Sequence, residues 1–145
     1  MPEQATIQRA REDAREGKSP STQAGEFVRE EIHHIREGKH GARSPKQAIA
    51  IGLSKARRAG VKLGKPKGSA ALRKKAAQDE KASRNPRRRI SATRSRATEG
   101  ALKREPRSSA SKSALSRQTK SAAVKRGKNA RSAAATKAAR TRKAA

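Results

Sequence analysis

Apolar residues gather in one stretch of this chain and thin out on either side. Val28, Ile32 and Ile35 stand at i, i+4 and i+7, with Ala24 and Phe27 on the same face. Ser19 and Pro20 supply an N-cap and a first-turn proline, and Gly38 supplies a stop. The pattern predicts an amphipathic helix over Gln23–Glu37. Ser44-Pro45-Lys46-Gln47 repeats the start signal, with Gln47 at the capping-box position. Ile49, Leu53 and Ala56 form the stripe of a second helix that runs to Ala59. Gly60 and Val61 then read as the C′ and C″ residues of a Schellman-like stop. Ala48 and Gly52 are small enough to admit another helix. Residues 38–43 join the two helices into an αα-hairpin, in which Ile32 is expected to pack against Leu53. Residues 2–16 predict a shorter, mostly solvated helix that starts at Pro2 and stops at Gly17. Its stripe is only Ile7, Ala10 and Ala14, and its expected surface pairs are Arg9–Asp13 and Glu12–Arg15.

Beyond Leu63 the pattern dissolves. Gly64 to Gly68 read as a basic linker, and Ser69 as the cap of a short helix over Ala70–Lys81. Leu72, Ile90, Leu102, Leu115 and Val124 are the only large aliphatics after that linker, too widely spaced to form a stripe. The expected fold class is all-α. A small helical head, residues 1–63, combines the hairpin with the N-terminal helix. A largely disordered polybasic tail, residues 64–145, follows it.

Charge sharpens this division. Residues 61–145 hold 27 Lys/Arg against four acids, a net of +23. Residues 1–60 hold 12 against eight, a net of +4, and the two sums give the chain's +27. So dense a polycation cannot bury enough apolar surface to offset its ordering entropy. A polyanion would neutralise it, and helix-favouring Ala, Lys and Arg would then gain helix on DNA. The expected partner is nucleic acid, duplex DNA ahead of RNA, because aromatic stacking platforms are missing: Phe27 is the one aromatic residue. The expected contacts near the second hairpin helix and linker are Lys55, Arg57, Arg58, Lys62, Lys65 and Lys67. Further on they are Arg73, Lys74, Lys75, Arg87, Arg88, Arg89, Arg94, Arg96, Lys103 and Arg104. Toward the end they are Lys125, Arg126, Lys128, Arg131, Lys137, Arg140, Arg142 and Lys143. Specific base readout by the helix after Ser44 is not expected, since few of its side chains suit base edges.

Other chemistry is thin. No nucleophile–base pair suggests an active site, so the chain is not expected to be an enzyme, to carry a cofactor or to take a small-molecule substrate. There is no cysteine. His33, His34 and His40 lie near Glu30, Glu31 and Glu37, and Glu30–His34 and His33–Glu37 stand at i, i+4. With no HExxH spacing, these read as surface ion pairs, and no metal site is expected. No apolar run suits a membrane span or a secretory leader, so no membrane partner is expected and a cytoplasmic, nucleoid location is.

Ala24 to His34, with Arg43 to Gly60, resembles a small family of uncharacterised bacterial proteins. Its members share this helical segment ahead of a variable Lys/Ala-rich tail, and the resemblance implies at most DNA binding. The tail separately resembles linker-histone and bacterial histone-like tails. Together these readings describe a histone-like, nucleoid-associated protein that binds DNA without sequence preference, by phosphate neutralisation. The alternatives are an RNA- or ribosome-associated basic protein and a protein-interaction module tethered to DNA by its tail. A second copy of the chain is a further candidate partner.

Overall fold

The computed structural model describes residues 2–85 and 91–144. Six α-helices appear among them: α1 (Gln4–Arg15), α2 (Pro20–Arg36), α3 (Pro45–Arg58), α4 (Ala70–Ser83), α5 (Ala92–Lys103) and α6 (Lys112–Ala144). A 3₁₀ turn, Ser108–Ala110, precedes α6. The described residues contain no strand, which is the all-α class that the pattern implies. The chain divides into two compact units, Met1–Ala110 and Ser111–Ala145.

In the first unit the helix ends follow local chemistry. The Ser19 hydroxyl accepts from the Thr22 N–H, and Pro20 opens α2. The Ser44 hydroxyl accepts from the Gln47 N–H at 3.3 Å, and Pro45 opens α3. The Gln47 side chain reaches one residue further back than a capping box requires and accepts from the Arg43 N–H at 2.7 Å. At the far end of α3, the Val61 N–H donates to the Ala56 carbonyl and the Gly60 N–H to the Arg57 carbonyl. That is the Schellman pair, with Gly60 at φ 96°. α1 begins later than Pro2 suggests, with Glu3 as its N-cap.

The hairpin of α2 and α3 is the centre of the unit, with α1 against α2 and α4 against α3. Two apolar clusters hold it. In one, Phe27 packs with Ala10, Ala24 and Ala56, and Ile7, Leu53, Val61 and Leu63 close its rim. In the other, Ile35 packs with Ala42, Ala48 and Ala110, with Ile32 at its edge. Ile32 and Leu53 therefore belong to different clusters, not to one cross-hairpin pair. α2 and α3 approach most closely at Gly52, where a Cβ would stand 2.7 Å from the Val28 Cα. Backbone cannot swing aside as a side chain can, so this crossing needs glycine.

The composition boundary at Leu63 is not where packing stops. α4 docks on α3 through Ala76 and Asp79, both buried. Residues 102–110 form a strap along the α2–α3 loop. The Gly41 N–H donates to the Leu102 carbonyl at 2.8 Å, and the Ala42 N–H to the Pro106 carbonyl at 3.1 Å. Arg36 donates through Nε to the Ala110 carbonyl at 2.9 Å, and Arg107 donates back to the Arg36 carbonyl. Ala110 fills the second cluster, so a small residue far along the chain completes a core begun by Ile35.

The expectation of a disordered tail also needs correction. The described residues after Leu63 form α4, α5 and α6. Intrinsic helix propensity decides this where no stripe exists, because alanine and long basic side chains lose little freedom in a helix. α6 is interrupted at Gly127, whose φ of 77° and ψ of 165° are not helical. A residue with a Cβ would be strained there. Arg87, Arg88 and Arg89, expected to contact phosphate, lie outside the described residues.

Candidate nucleic-acid interface

α6 carries more Lys/Arg than any other described helix. Residues 112–145 carry 11 Lys/Arg and no acid. Lys125, Arg126, Lys128, Arg131, Lys137, Arg140, Arg142 and Lys143 are all exposed on α6. Their spacing carries them round the helix rather than along one stripe. Beyond Ala114 and Leu115 in its first turn, such a helix carries no continuous apolar stripe and presents charge in every direction. Lys112, Arg117 and Lys120 are also exposed on α6 but were not among the expected contacts. The missed signal is that the last acid in the chain is Glu105, so the acid-free run starts well before Lys125.

In the first unit the expected contacts divide into free and tethered cations. Lys62, Lys65, Lys67, Arg73, Lys74, Arg94, Arg96 and Arg104 are exposed, and Arg57 is half-buried. Arg58 and Lys75 instead flank the buried Asp79 carboxylate, at 2.9 and 3.1 Å, while about half of each side chain remains exposed. Lys103 pairs with Glu99 at 2.8 Å, and that hydrogen bond holds the Glu99 carboxyl below the usual range. Lys55 is the clearest exception. Its ammonium lies 2.6 Å from Glu31 and 3.5 Å from Glu30, beneath the α2 surface. It neutralises buried carboxylates, with its side chain 21 % exposed.

Asp79 is the charged pin of α4. Burial pushes its pKa up, but the Ser54 hydroxyl at 2.7 Å, Lys75 and Arg58 together outweigh that and lower it from 3.8. A carboxylate with a folded-state pKa below its unfolded value stabilises the fold above the unfolded value. That contribution is lost as pH falls through the folded value. α4 should therefore detach as pH falls below the ordinary carboxylate range, and Asp79→Asn should detach it at neutral pH. Amide hydrogen exchange of α4 reads both. Protection that is indifferent to pH and to the substitution would show that Ala76 alone holds the helix.

A second charged centre lies where α2, the loop after it and the start of α1 meet. Glu30 and Glu31 are buried, whereas His34 and His40 are partly covered. His40 Nε2 stands 3.2 Å from Glu31 Oε1, and His34 Nδ1 4.0 Å from Glu30 Oε1. The expected surface Glu–His pairs are thus partly interior. His33 stays exposed. Glu3 accepts from His34 Nε2 at 2.9 Å and from Lys39 at 3.3 Å, and these hydrogen bonds keep its carboxyl below the usual range. Arg9 pairs with Glu26 of α2 at 2.6 Å rather than with Asp13.

Residues 15–67 match a family of unknown function (DUF6496). This segment contains all of α2 and α3, their caps and the loop that carries His40. α4, α5 and α6 lie outside it, as does the acid-free run. No curated protein and no solved structure matches the chain. None of the described helices is long and apolar enough to cross a membrane.

Proposed function

We propose that the chain is a non-enzymatic duplex-binding protein, histone-like and nucleoid-associated, that neutralises phosphates without reading sequence. The observation that carries this reading is α6: 11 cations without one acid over residues 112–145, with no apolar stripe to dock elsewhere. Double-stranded DNA binds such an arm by releasing condensed counterions, and the gain grows with the number of phosphates neutralised. Exposed Lys62, Lys65, Lys67, Arg73 and Lys74 supply further phosphate contacts from the first unit. The scarcity of aromatic residues supports backbone contacts over stacked single strands.

The test is binding of the full chain to several unrelated duplexes and to structured RNA over a salt series. Expected are similar affinities for all duplexes and a steep, linear fall of log affinity with log salt. One duplex preferred a thousandfold at fixed salt would sink the reading, and RNA bound more tightly at every salt would redirect it.

The same physics makes α6 responsive. Like charges along a helix repel, and no core offsets that repulsion here. Circular dichroism of a peptide covering residues 111–145 should show helix rising with added salt, and rising further with duplex at low salt. Helix content unmoved by either would mean that charge does not govern this segment.

A further inference from the structure

We propose that Glu31, His34 and His40 form a binding site for a zinc-like divalent cation that ties α2 to the loop following it. The inference is independent of DNA binding. One ligand atom from each of the three residues lies within 4.8 Å of the others.

The hydrogen bonds around the two imidazoles decide which nitrogens face inward. His40 Nδ1 lies 3.0 Å from the Gly41 carbonyl. A carbonyl only accepts, so Nδ1 carries the proton and a neutral ring turns its Nε2 lone pair toward Glu31. His34 Nε2 lies 2.9 Å from the Glu3 carboxylate, which also accepts, so the free lone pair of that ring is on Nδ1. Each ring is therefore oriented from outside, by a carbonyl or a carboxylate. This is the arrangement that metal-ligating histidines use.

Glu31 supplies the second observation. Its side chain is fully buried, and neither oxygen has a hydrogen-bond partner. Lys55 lies 2.6 Å from Oε2 as an ion pair, although without hydrogen-bond geometry. Oε1 stands 3.2 Å from His40 Nε2, and a neutral ring with its proton on Nδ1 sets lone pair against lone pair there. A cation between them removes that conflict. Two ligands at the usual zinc distances in a tetrahedral site stand about 3.3 Å apart, close to what this pair already shows. Two imidazole nitrogens and one carboxylate oxygen suit zinc, with the fourth position left for water or for Glu30. Lys55 offsets one of the two buried negative charges, and the metal offsets the rest. The burial of Glu31 and the partial cover of both histidines fit a structural clamp.

The experiment uses the full, untagged chain, stripped with a chelator and then titrated with Co²⁺ as a spectroscopic stand-in. Expected are a saturable visible ligand-field spectrum of four-coordinate cobalt, its loss on adding Zn²⁺, and a melting temperature raised by Zn²⁺ but not by Mg²⁺. His40→Ala and His34→Ala should each weaken Co²⁺ binding by at least about tenfold. Glu3→Gln, which weakens the orienting bond to His34 along with the surface pair to Lys39 and touches no ligand atom, should weaken it by about 10–100-fold. His33→Ala, on the exposed side of α2, should change nothing. If a histidine variant fails to fold, the wild-type spectrum and Glu3→Gln still decide. A proton rather than a metal between His40 and Glu31 predicts no cobalt spectrum at neutral pH. That result, or equal binding by His40→Ala and wild type, overturns the proposal.

Discussion

A chain ending at Ala110 should keep its fold and lose most of its affinity for duplex DNA. The deletion removes 11 of the 39 cations and none of the 12 acids. It leaves the first compact unit with its clusters, its strap and the Asp79 pin in place. If α6 engages roughly six phosphates, the slope of log affinity against log salt should fall by roughly five. Affinity near physiological salt should drop by on the order of 100-fold or more. Two controls separate charge from shape. A chain with residues 111–145 in scrambled order keeps the charge and should bind almost as well as wild type. A chain with the α6 cations changed to Gln keeps the length and should behave like the deletion. Should the scrambled chain lose binding while the Gln chain keeps it, phosphate neutralisation by α6 is the wrong mechanism.

The first unit ends at Ala110 and not at Leu63, where composition alone divides the chain, and the difference shows what is legible in residue type. Caps and stops are local events within four or five residues. Ser19, Pro20, Ser44, Pro45 and Gly60 act where the pattern places them, and so does Ser69. The strap is not local. Ala110 completes a cluster with Ile35, yet alanine in a Lys/Ala/Ser-rich run carries no periodic signal. The Gly41 and Ala42 N–H groups pair with backbone carbonyls of residues 102 and 106, and such groups leave no trace in residue type. Asp79 reads as one acid in a basic tail until Ser54, Arg58 and Lys75 are seen to converge on it.

The cation assignments show the same limit in charge. Lys55 is basic and sits near a helix end, so composition groups it with Arg57 and Arg58. In the fold it is the counterion of Glu30 and Glu31. A signal for this does exist. Glu31 stands four residues after Phe27 and four before Ile35, inside the row that faces the core. A carboxylate in an apolar row needs a partner, and the interior of a helical hairpin is where one must be found. His34 follows three residues later on the same side of the helix, which brings an imidazole to the same centre. Reading the row by polarity exceptions, and not only by its apolar members, would have marked the centre.

Replacing Phe27 with Ala should be the most destabilising single change in the first unit. Phe27 is 1 % exposed and is the only large side chain fully buried in its cluster. Its buried neighbours are Ala10, Ala24 and Ala56, held on α1, α2 and α3 by their backbones. These alanines cannot refill the space, because their side chains have no rotamers to offer, and only the rim residues Ile7, Leu53, Val61 and Leu63 can lean in. The expected cost is therefore in the full range for this substitution, about 3–5 kcal/mol. For a unit of this size that corresponds to a fall in melting temperature of roughly 12–40 °C. Ile35→Ala should cost about 2–5 kcal/mol in the other cluster. It should also loosen the strap, because Ala110 packs directly on that residue's cluster. The two variants should therefore differ in kind. Phe27→Ala should expose α1 first in amide hydrogen exchange, since Ala10 and Ile7 lose their anchor, whereas Ile35→Ala should expose residues 102–110 first. Thermal melting of both variants beside wild type gives the magnitudes, and exchange gives the order. A melting temperature within a few degrees of wild type for Phe27→Ala would mean that the α1–α2–α3 arrangement does not rest on that ring. Exchange that rises equally everywhere in both variants would instead mean that the two clusters unfold as one.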